Sequence, residues 1–428
     1  MDAARASSLT SAGGERKFPF IGERTINVIK FISLCLYSFA PAGAKILQNK
    51  YIFLLGFLFA LIFIFCSAKG KFNFYLNPIK IFGGIFIFYG LLLSGMLSHL
   101  DLVDNESIYI GIAMYLIPLG LSLFSGPTAV ESLLIFLPWV GFLHGVVAIA
   151  LYPSLPISSW IGDIALALQD GVMAFRLSSV SGSLAFSSLM AVSYVVTLLG
   201  SGVKGKRGYI FGLMAVFFLM CTFLALQRSM WIAVILFTLY AFFRGYLHWV
   251  LVCKALLIMG LVLFILNLNM GYLFDVFSDL IKEKMFSINN ASDGSAIGER
   301  LNQWFGVVDN IQEFPLGSGI GQIGQASRDH IFMNSLVGIP DGDFFRIISE
   351  YGPAGFCLVV IIIIRFIDSI RLLLRRTALR GRAALYSAFC VLFIQAIGSN
   401  MTELYFINFI FFVMLMNLGW NEVRQRIS

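Results

Sequence analysis

Apolar residues run along this chain in long blocks instead of alternating with polar ones, and most blocks are about as long as one membrane crossing, roughly 20 residues. Cut at charges, prolines and polar turns, they predict helices over 25–44, 51–68, 81–98, 107–124, 129–151, 183–200, 208–226, 230–243, 250–270, 352–367, 383–397 and 404–420. Inside hydrocarbon every backbone N–H and C=O must be satisfied within the protein, which helices do segment by segment. The expected fold is therefore all-α, a polytopic transmembrane helix bundle of about twelve spans with one large helical loop on the outer side. Its expected organisation is a cytoplasmic tail at 1–24, spans one to nine over 25–270, the loop module at 271–351, spans ten to twelve over 352–420, and a second tail at 421–428.

Two connections on the outer side are long, 152–182 and 271–351. Long connections carry function or stay disordered, and the second has the pattern of an ordered one. Leu273, Phe274, Phe277, Leu280, Ile281, Met285 and Ile288 recur at helical spacing between charged residues, and Leu301, Trp304, Phe305, Val308 and Ile311 do likewise before Pro315. Both stretches read as amphipathic helices lying on the membrane or over a cavity mouth. The run Gly317-Ser318-Gly319-Ile320-Gly321 then predicts a tight turn whose backbone amides can approach an anion.

Composition sharpens the class. Of 428 residues, 59% are hydrophobic and 12% charged, with a mean hydropathy of +0.87. Soluble domains carry about 25% charged residues, so a soluble enzyme, a disordered chain and a nucleic-acid binder are excluded despite the net charge of +7. All six cysteines lie within apolar runs, which supports neither a disulfide framework nor a zinc site. The first 24 residues are polar and lack the apolar core of a signal peptide, which predicts a cytoplasmic N-terminus. On that orientation the cytoplasmic side holds 21 of the 30 Lys/Arg residues and only 6 of the 23 Asp/Glu, the asymmetry that the positive-inside rule asks for with both termini inside. The basic clusters at Lys69–Lys80, Lys204–Arg207 and Arg365–Arg382 set topology and meet lipid headgroups.

Against this background the outer side carries Arg176, Arg228, Arg300, Arg328 and Arg346 beside apolar or glycine-rich sequence. A planar guanidinium with five donors suits phosphate, and several around one loop imply an anionic ligand. Carboxylates gather in Asp341-Gly342-Asp343-Phe344-Phe345-Arg346-Ile347-Ile348-Ser349-Glu350-Tyr351-Gly352. If Asp343 caps a helix entering the next span, Asp343, Arg346 and Glu350 fall near one face. An internal ion pair and a proton-accepting role are both open to Asp343. His330, in the large loop, is a further candidate base, whereas His144 belongs to a span.

Together these segments resemble the O-antigen polymerase and O-antigen ligase superfamily. The matching pieces are Arg176-Leu177-Ser178-Ser179-Val180-Ser181-Gly182 before a span, Gln227-Arg228-Ser229, Glu299-Arg300 with Trp304, Pro315-Leu316-Gly317-Ser318-Gly319, and Asp343-Phe344-Phe345-Arg346 running into Glu350-Tyr351-Gly352-Pro353-Ala354-Gly355. The resemblance implies a metal-independent inner-membrane glycosyltransferase without a cofactor, acting at the periplasmic face on an undecaprenyl-diphosphate-linked oligosaccharide. It implies that Arg176, Arg228, Arg300 and Arg346 bind the diphosphate and that Asp343, Glu350 or His330 orients or deprotonates the acceptor hydroxyl. The expected partners are that glycolipid, membrane lipids and a chain-length regulator, with no nucleic acid. Within the superfamily a polymerase is preferred, because Ile331-Phe332-Met333 separates His330 from Asn334 where ligases place a histidine-asparagine pair. A ligase acting on lipid A core and a flippase for lipid-linked glycan are the alternatives.

Overall fold

The computed structural model describes residues 22–46, 51–68, 77–100, 102–103, 105–151, 177, 179, 183–200, 206–225, 227–246, 311–323, 342–375, 380–398 and 405–418. Helices dominate these residues: α1 Glu23–Ile46, α2 Tyr51–Ser67, α3 Pro78–His99, α4 Asn105–Gly111, α5 Ile117–Leu123, α6 Pro127–Ala150, α7 Ser183–Gly200, α8 Lys206–Leu224, α9 Arg228–Phe243, α10 Asp343–Leu374, α11 Arg380–Gly398 and α12 Tyr405–Asn417. The all-α class is as the hydrophobic blocks predict. The expected helices at 250–270, 273–288 and 301–311 fall outside the described residues, apart from Ile311. Two helices, α3 and α6, are by themselves long and apolar enough to cross a membrane, and several others are shorter apolar helices.

Where boundaries depart from the hydrophobic blocks, local chemistry explains the shift. Helix α3 starts three residues before its block because Asn77 caps it, accepting from the Ile79 amide at 3.2 Å, and Pro78 occupies the first helical position. Block 107–124 is not one regular helix. A π turn at Ile112–Leu116 separates α4 from α5. Pro118 has no amide hydrogen to give the Met114 carbonyl, and its ring crowds that oxygen, so the ladder widens there. The released Met114 oxygen accepts from the Asn408 side-chain amide of α12 at 2.7 Å.

Helices α7, α11 and α12 form the centre, with Phe186, Met190, Phe389, Leu392, Phe409 and Met414 almost wholly buried. Helix α3 instead exposes Ile81, Ile85, Phe88, Leu92 and Met96 along one face. Such a continuous apolar stripe is foreign to a water-facing surface and suited to hydrocarbon.

Contacts at helix ends order the bundle. Arg244, at the end of α9, donates to the Leu373 and Arg375 carbonyls at the end of α10. At the other extreme Ser229 of α9 donates to Gln395 of α11 at 3.3 Å, and Gly342 before α10 lies against the Ile397 carbonyl. Thus α9 and α10 run in parallel, with α11 antiparallel between their starting ends.

The long helix α10 is two helices joined at Gly352, whose φ of 52° and ψ of −128° no side chain tolerates readily. A Cβ at that position would lie 2.6 Å from the Leu316 carbonyl carbon. Gly352→Ala is expected to cost on the order of 1–3 kcal/mol from the backbone alone, read as a lowered Tm of the detergent-solubilised protein. Gly84→Ala, where nothing lies within 4 Å, should leave Tm unchanged or slightly raised. Equal Tm for both variants would remove the junction from any structural role.

Candidate functional site

The junction in α10 creates the site. Pro353 has no amide hydrogen, so the Ser349 carbonyl four residues earlier has no helical donor, and the turn to Gly352 orphans the Glu350 carbonyl as well. Both are taken up from outside the helix. Ser318 donates its amide to Ser349 O at 3.0 Å, and Gly319 donates to Glu350 O at 3.1 Å. Gly317, Gly319 and Gly321 all have positive φ, and a Cβ on Gly317 would collide with the Glu350 carbonyl. This close backbone approach is why glycine stands there.

The turn predicted to receive an anion already holds one from this chain. Glu350 Oε1 accepts from the Gly321 amide at 3.1 Å and the Ile323 amide at 3.3 Å. The remaining amides of the turn are also engaged: Ile320 donates to Ser94 Oγ at 2.9 Å, and Gly317 to the Phe314 carbonyl at 2.8 Å. Tyr89 closes the turn by donating to Leu316 O at 2.6 Å.

One to two turns earlier on α10 lies the charged pair. Gly342, not Asp343, occupies the cap position, and Asp343 is the first helical residue. A carboxylate there faces the positive end of the helix. Asp343 Oδ1 and Arg346 Nη2 are 3.6 Å apart, and both side chains are only 1% exposed. The Arg346 guanidinium lies over the Tyr115 ring, 3.9 Å from its centroid, a contact worth on the order of 2 kcal/mol when desolvated. Tyr115 belongs to the π turn, so the proline that disturbs α4 and α5 also presents the ring beneath Arg346. Tyr351 packs on Phe86 with centroids 4.5 Å apart.

Arg228 opens α9 directly after an extended Gln227 and is half-buried. Its neighbour Ser229 meets Gln395, while the Ile397 carbonyl meets Gly342. The last turn of α11 therefore stands between the Arg228 corner and the Asp343 corner. Leu177, next in sequence to Arg176, donates its amide to the Leu224 carbonyl at 3.1 Å, just before Gln227. Arg176, Arg300 and His330 lie outside the described residues. Of the candidates, then, the structure joins Asp343 with Arg346, ties Glu350 to the glycine turn and sets Arg228 across the end of α11. Sequence reasoning did not find Tyr115, Ser94 or Tyr89, and the available signal was Pro118 within an apolar block. Among the described residues no three His, Cys, Asp or Glu side chains group as metal ligands.

Residues 213–360 match the family model described as O-antigen ligase. That segment contains Arg228, Arg300, His330, Asp343, Arg346 and Glu350, whereas Arg176 precedes it. No curated protein matches the chain.

Because two backbone amides depend on Glu350 Oε1, Glu350→Gln and Glu350→Ala should differ. The carboxamide oxygen still accepts, so Glu350→Gln is expected to keep near-normal abundance and most activity. Glu350→Ala strands buried donors at about 1–3 kcal/mol each and should lower both Tm and yield. A Glu350→Gln chain that folds normally but is inactive would mean that Glu350 accepts a proton and does not merely hold the turn.

Proposed function

We propose, taking as premise that the 213–360 segment puts this membrane chain in the O-antigen ligase and polymerase superfamily, that it is a surface-polysaccharide polymerase of the bacterial inner membrane. It transfers an undecaprenyl-diphosphate-linked glycan to a lipid-linked repeat unit at the periplasmic face, within a bundle of about twelve spans whose two termini are cytoplasmic. The observation that supports this most is the junction at the end of α11, where the Arg228 corner and the Asp343–Arg346 pair meet through Gln395 and Ile397. A cation for a diphosphate and a carboxylate for a hydroxyl thereby stand at one end of the bundle.

In this reading the acceptor hydroxyl oxygen bonds to the anomeric carbon as that carbon's bond to the diphosphate oxygen breaks. The electron pair leaves with the diphosphate, and the hydroxyl proton passes to Asp343. Arg228, with Arg176 and Arg300, neutralises charge growing on the leaving diphosphate, so that no metal is required for that task. Arg346, which the resemblance implies is a fourth diphosphate ligand, is instead buried against Asp343 and Tyr115, and in this reading it pins the Asp343 carboxylate. The separation of His330 from Asn334 and the stretch Asp343-Phe344-Phe345-Arg346 favour polymerase. The ligase reading stands second because the matched family model carries that description. Nothing in the family match favours a flippase.

Bacteria lacking this chain and complemented with variants provide the test. Loss of polymer with a single repeat unit still reaching lipid A core marks a polymerase, and polymer stranded on the undecaprenyl carrier marks a ligase. Asp343→Asn is expected to reduce polymerisation by about 10²- to 10⁴-fold, the contribution of a positioned base, with far smaller loss in His330→Ala. An active Asp343→Asn beside an inactive His330→Ala would overturn both the base assignment and the preference for polymerase.

Arg228 provides a separate measure. Arg228→Ala should abolish polymer at near-normal protein abundance, and Arg228→Lys should restore only part, because an ammonium lacks the bidentate fork. Full activity in both variants would show that Arg228 only anchors the helix end at the interface.

A further inference from the structure

A buried polar chain outside the site described so far reaches the segment that follows Arg176. His144 of α6 is completely buried, its ring stacked on Phe39 with centroids 4.0 Å apart and planes 9° apart. Its Nε2 is 3.0 Å from Ser38 Oγ of α1, and its Nδ1 is 2.8 Å from Ser179 Oγ. The proton assignment follows from the third link. Ser38 donates its hydroxyl hydrogen to the Cys35 carbonyl at 2.7 Å, so it can only accept from the ring. A neutral imidazole therefore carries its hydrogen on Nε2, and Nδ1 accepts from the Ser179 hydroxyl.

Ser179 is 2% exposed, although it belongs to a connection between helices. His144 precedes the end of α6 at Ala150 by six residues, about 9 Å at the helical rise. The connection thus dips into the bundle to meet it. Two residues earlier, the Leu177 amide caps the Leu224 carbonyl at the end of α8, which has no donor of its own within the helix. These two anchors lie on opposite sides of Ser178. Arg176 immediately precedes Leu177 in the chain, and Leu224 is the last residue of α8, before the Gln227–Arg228 corner.

We infer that His144 is a positioning residue: through Ser179 it fixes Leu177 and Ser179 inside the bundle, beside the end of α8 that precedes the Gln227–Arg228 corner. Its consequence for activity rests on the proposed diphosphate role of Arg176, but the hold itself does not. Nothing about this role requires His144 to touch substrate. It acts by holding the residues next to Arg176 in the chain against the end of α8, which is a geometric contribution to binding.

The test uses the full-length chain in membranes with two readouts. For geometry, Leu177→Cys and Leu224→Cys are combined in a background with native cysteines replaced by alanine, and disulfide formation is followed. Crosslinking is expected with His144 present, several-fold less in His144→Ala and in Ser179→Ala, and largely retained in His144→Gln, whose amide keeps one donor and one acceptor. For activity with lipid-linked oligosaccharide, His144→Ala should raise KM about tenfold with kcat less affected, and should add nothing in an Arg176→Ala background. Unchanged crosslinking in His144→Ala would overturn the hold. A loss that multiplies with that of Arg176→Ala would overturn the route through Arg176 and leave a general packing role. If Arg176→Ala is itself fully active while crosslinking still depends on His144, the diphosphate reading fails and the hold survives.

Discussion

Everything at the candidate site depends on a helix that stops and restarts. Proline at 353 denies the Ser349 carbonyl its helical donor, and glycine at 352 lets the backbone take a conformation that turns the Glu350 carbonyl outward. In an apolar bundle two such carbonyls cannot remain unpaired, since each would cost on the order of 1–3 kcal/mol. The 317–321 turn satisfies both, and the Glu350 carboxylate in turn satisfies the amides of Gly321 and Ile323. Loop and helix are thus locked by reciprocal need. Changing one side orphans groups on the other.

The same need appears elsewhere in the bundle, where several buried polar groups find partners on other helices. Lys80 donates to the Ser125 carbonyl, Asn417 to Ser125 Oγ at 2.9 Å, and Asn408 to the carbonyl released by the π turn. His144 links α1, α6 and the segment after Arg176 through two serine hydroxyls. Apolar packing has no directional preference in hydrocarbon, so hydrogen bonds of this kind specify which helix faces which. They also join distant parts of the chain: residue 38 to residue 144, 144 to 179, and 114 to 408.

The Asp343–Arg346 pair belongs to a different class. A fully buried ion pair gives little net stability, because desolvation offsets most of the attraction. Its value lies in orientation. Asp343 sits in the first turn of α10, Arg346 fixes it from one turn below, and Tyr115 fixes Arg346. A carboxylate held in this way at a helix start, with a second helix start bearing Arg228 across the last turn of α11, matches the needs of a transfer that must place an anion and remove a proton at one point.

The sequence by itself determined the helical class, because apolar blocks of crossing length have one backbone solution in hydrocarbon. It also marked Asp343 and Arg346 as neighbours, since residues three apart share a helix face, and it located the glycine turn. It did not show that the turn's anion is internal. That outcome depends on which carbonyls Pro353 sets free and on the packing of residues 317–323 against residues 349–352, contacts between segments that no periodicity encodes. The π turn under Arg346 was hidden for the same reason: Pro118 predicts a disturbance in its helix, but only the arrival of Asn408 from α12 decides where the freed oxygen goes. His144 reads in sequence as one polar residue in an apolar span. Tertiary structure alone makes it the link between a buried helix and the segment next to Arg176, because its two hydrogen-bond partners are far from it in the chain and near it only in the folded bundle.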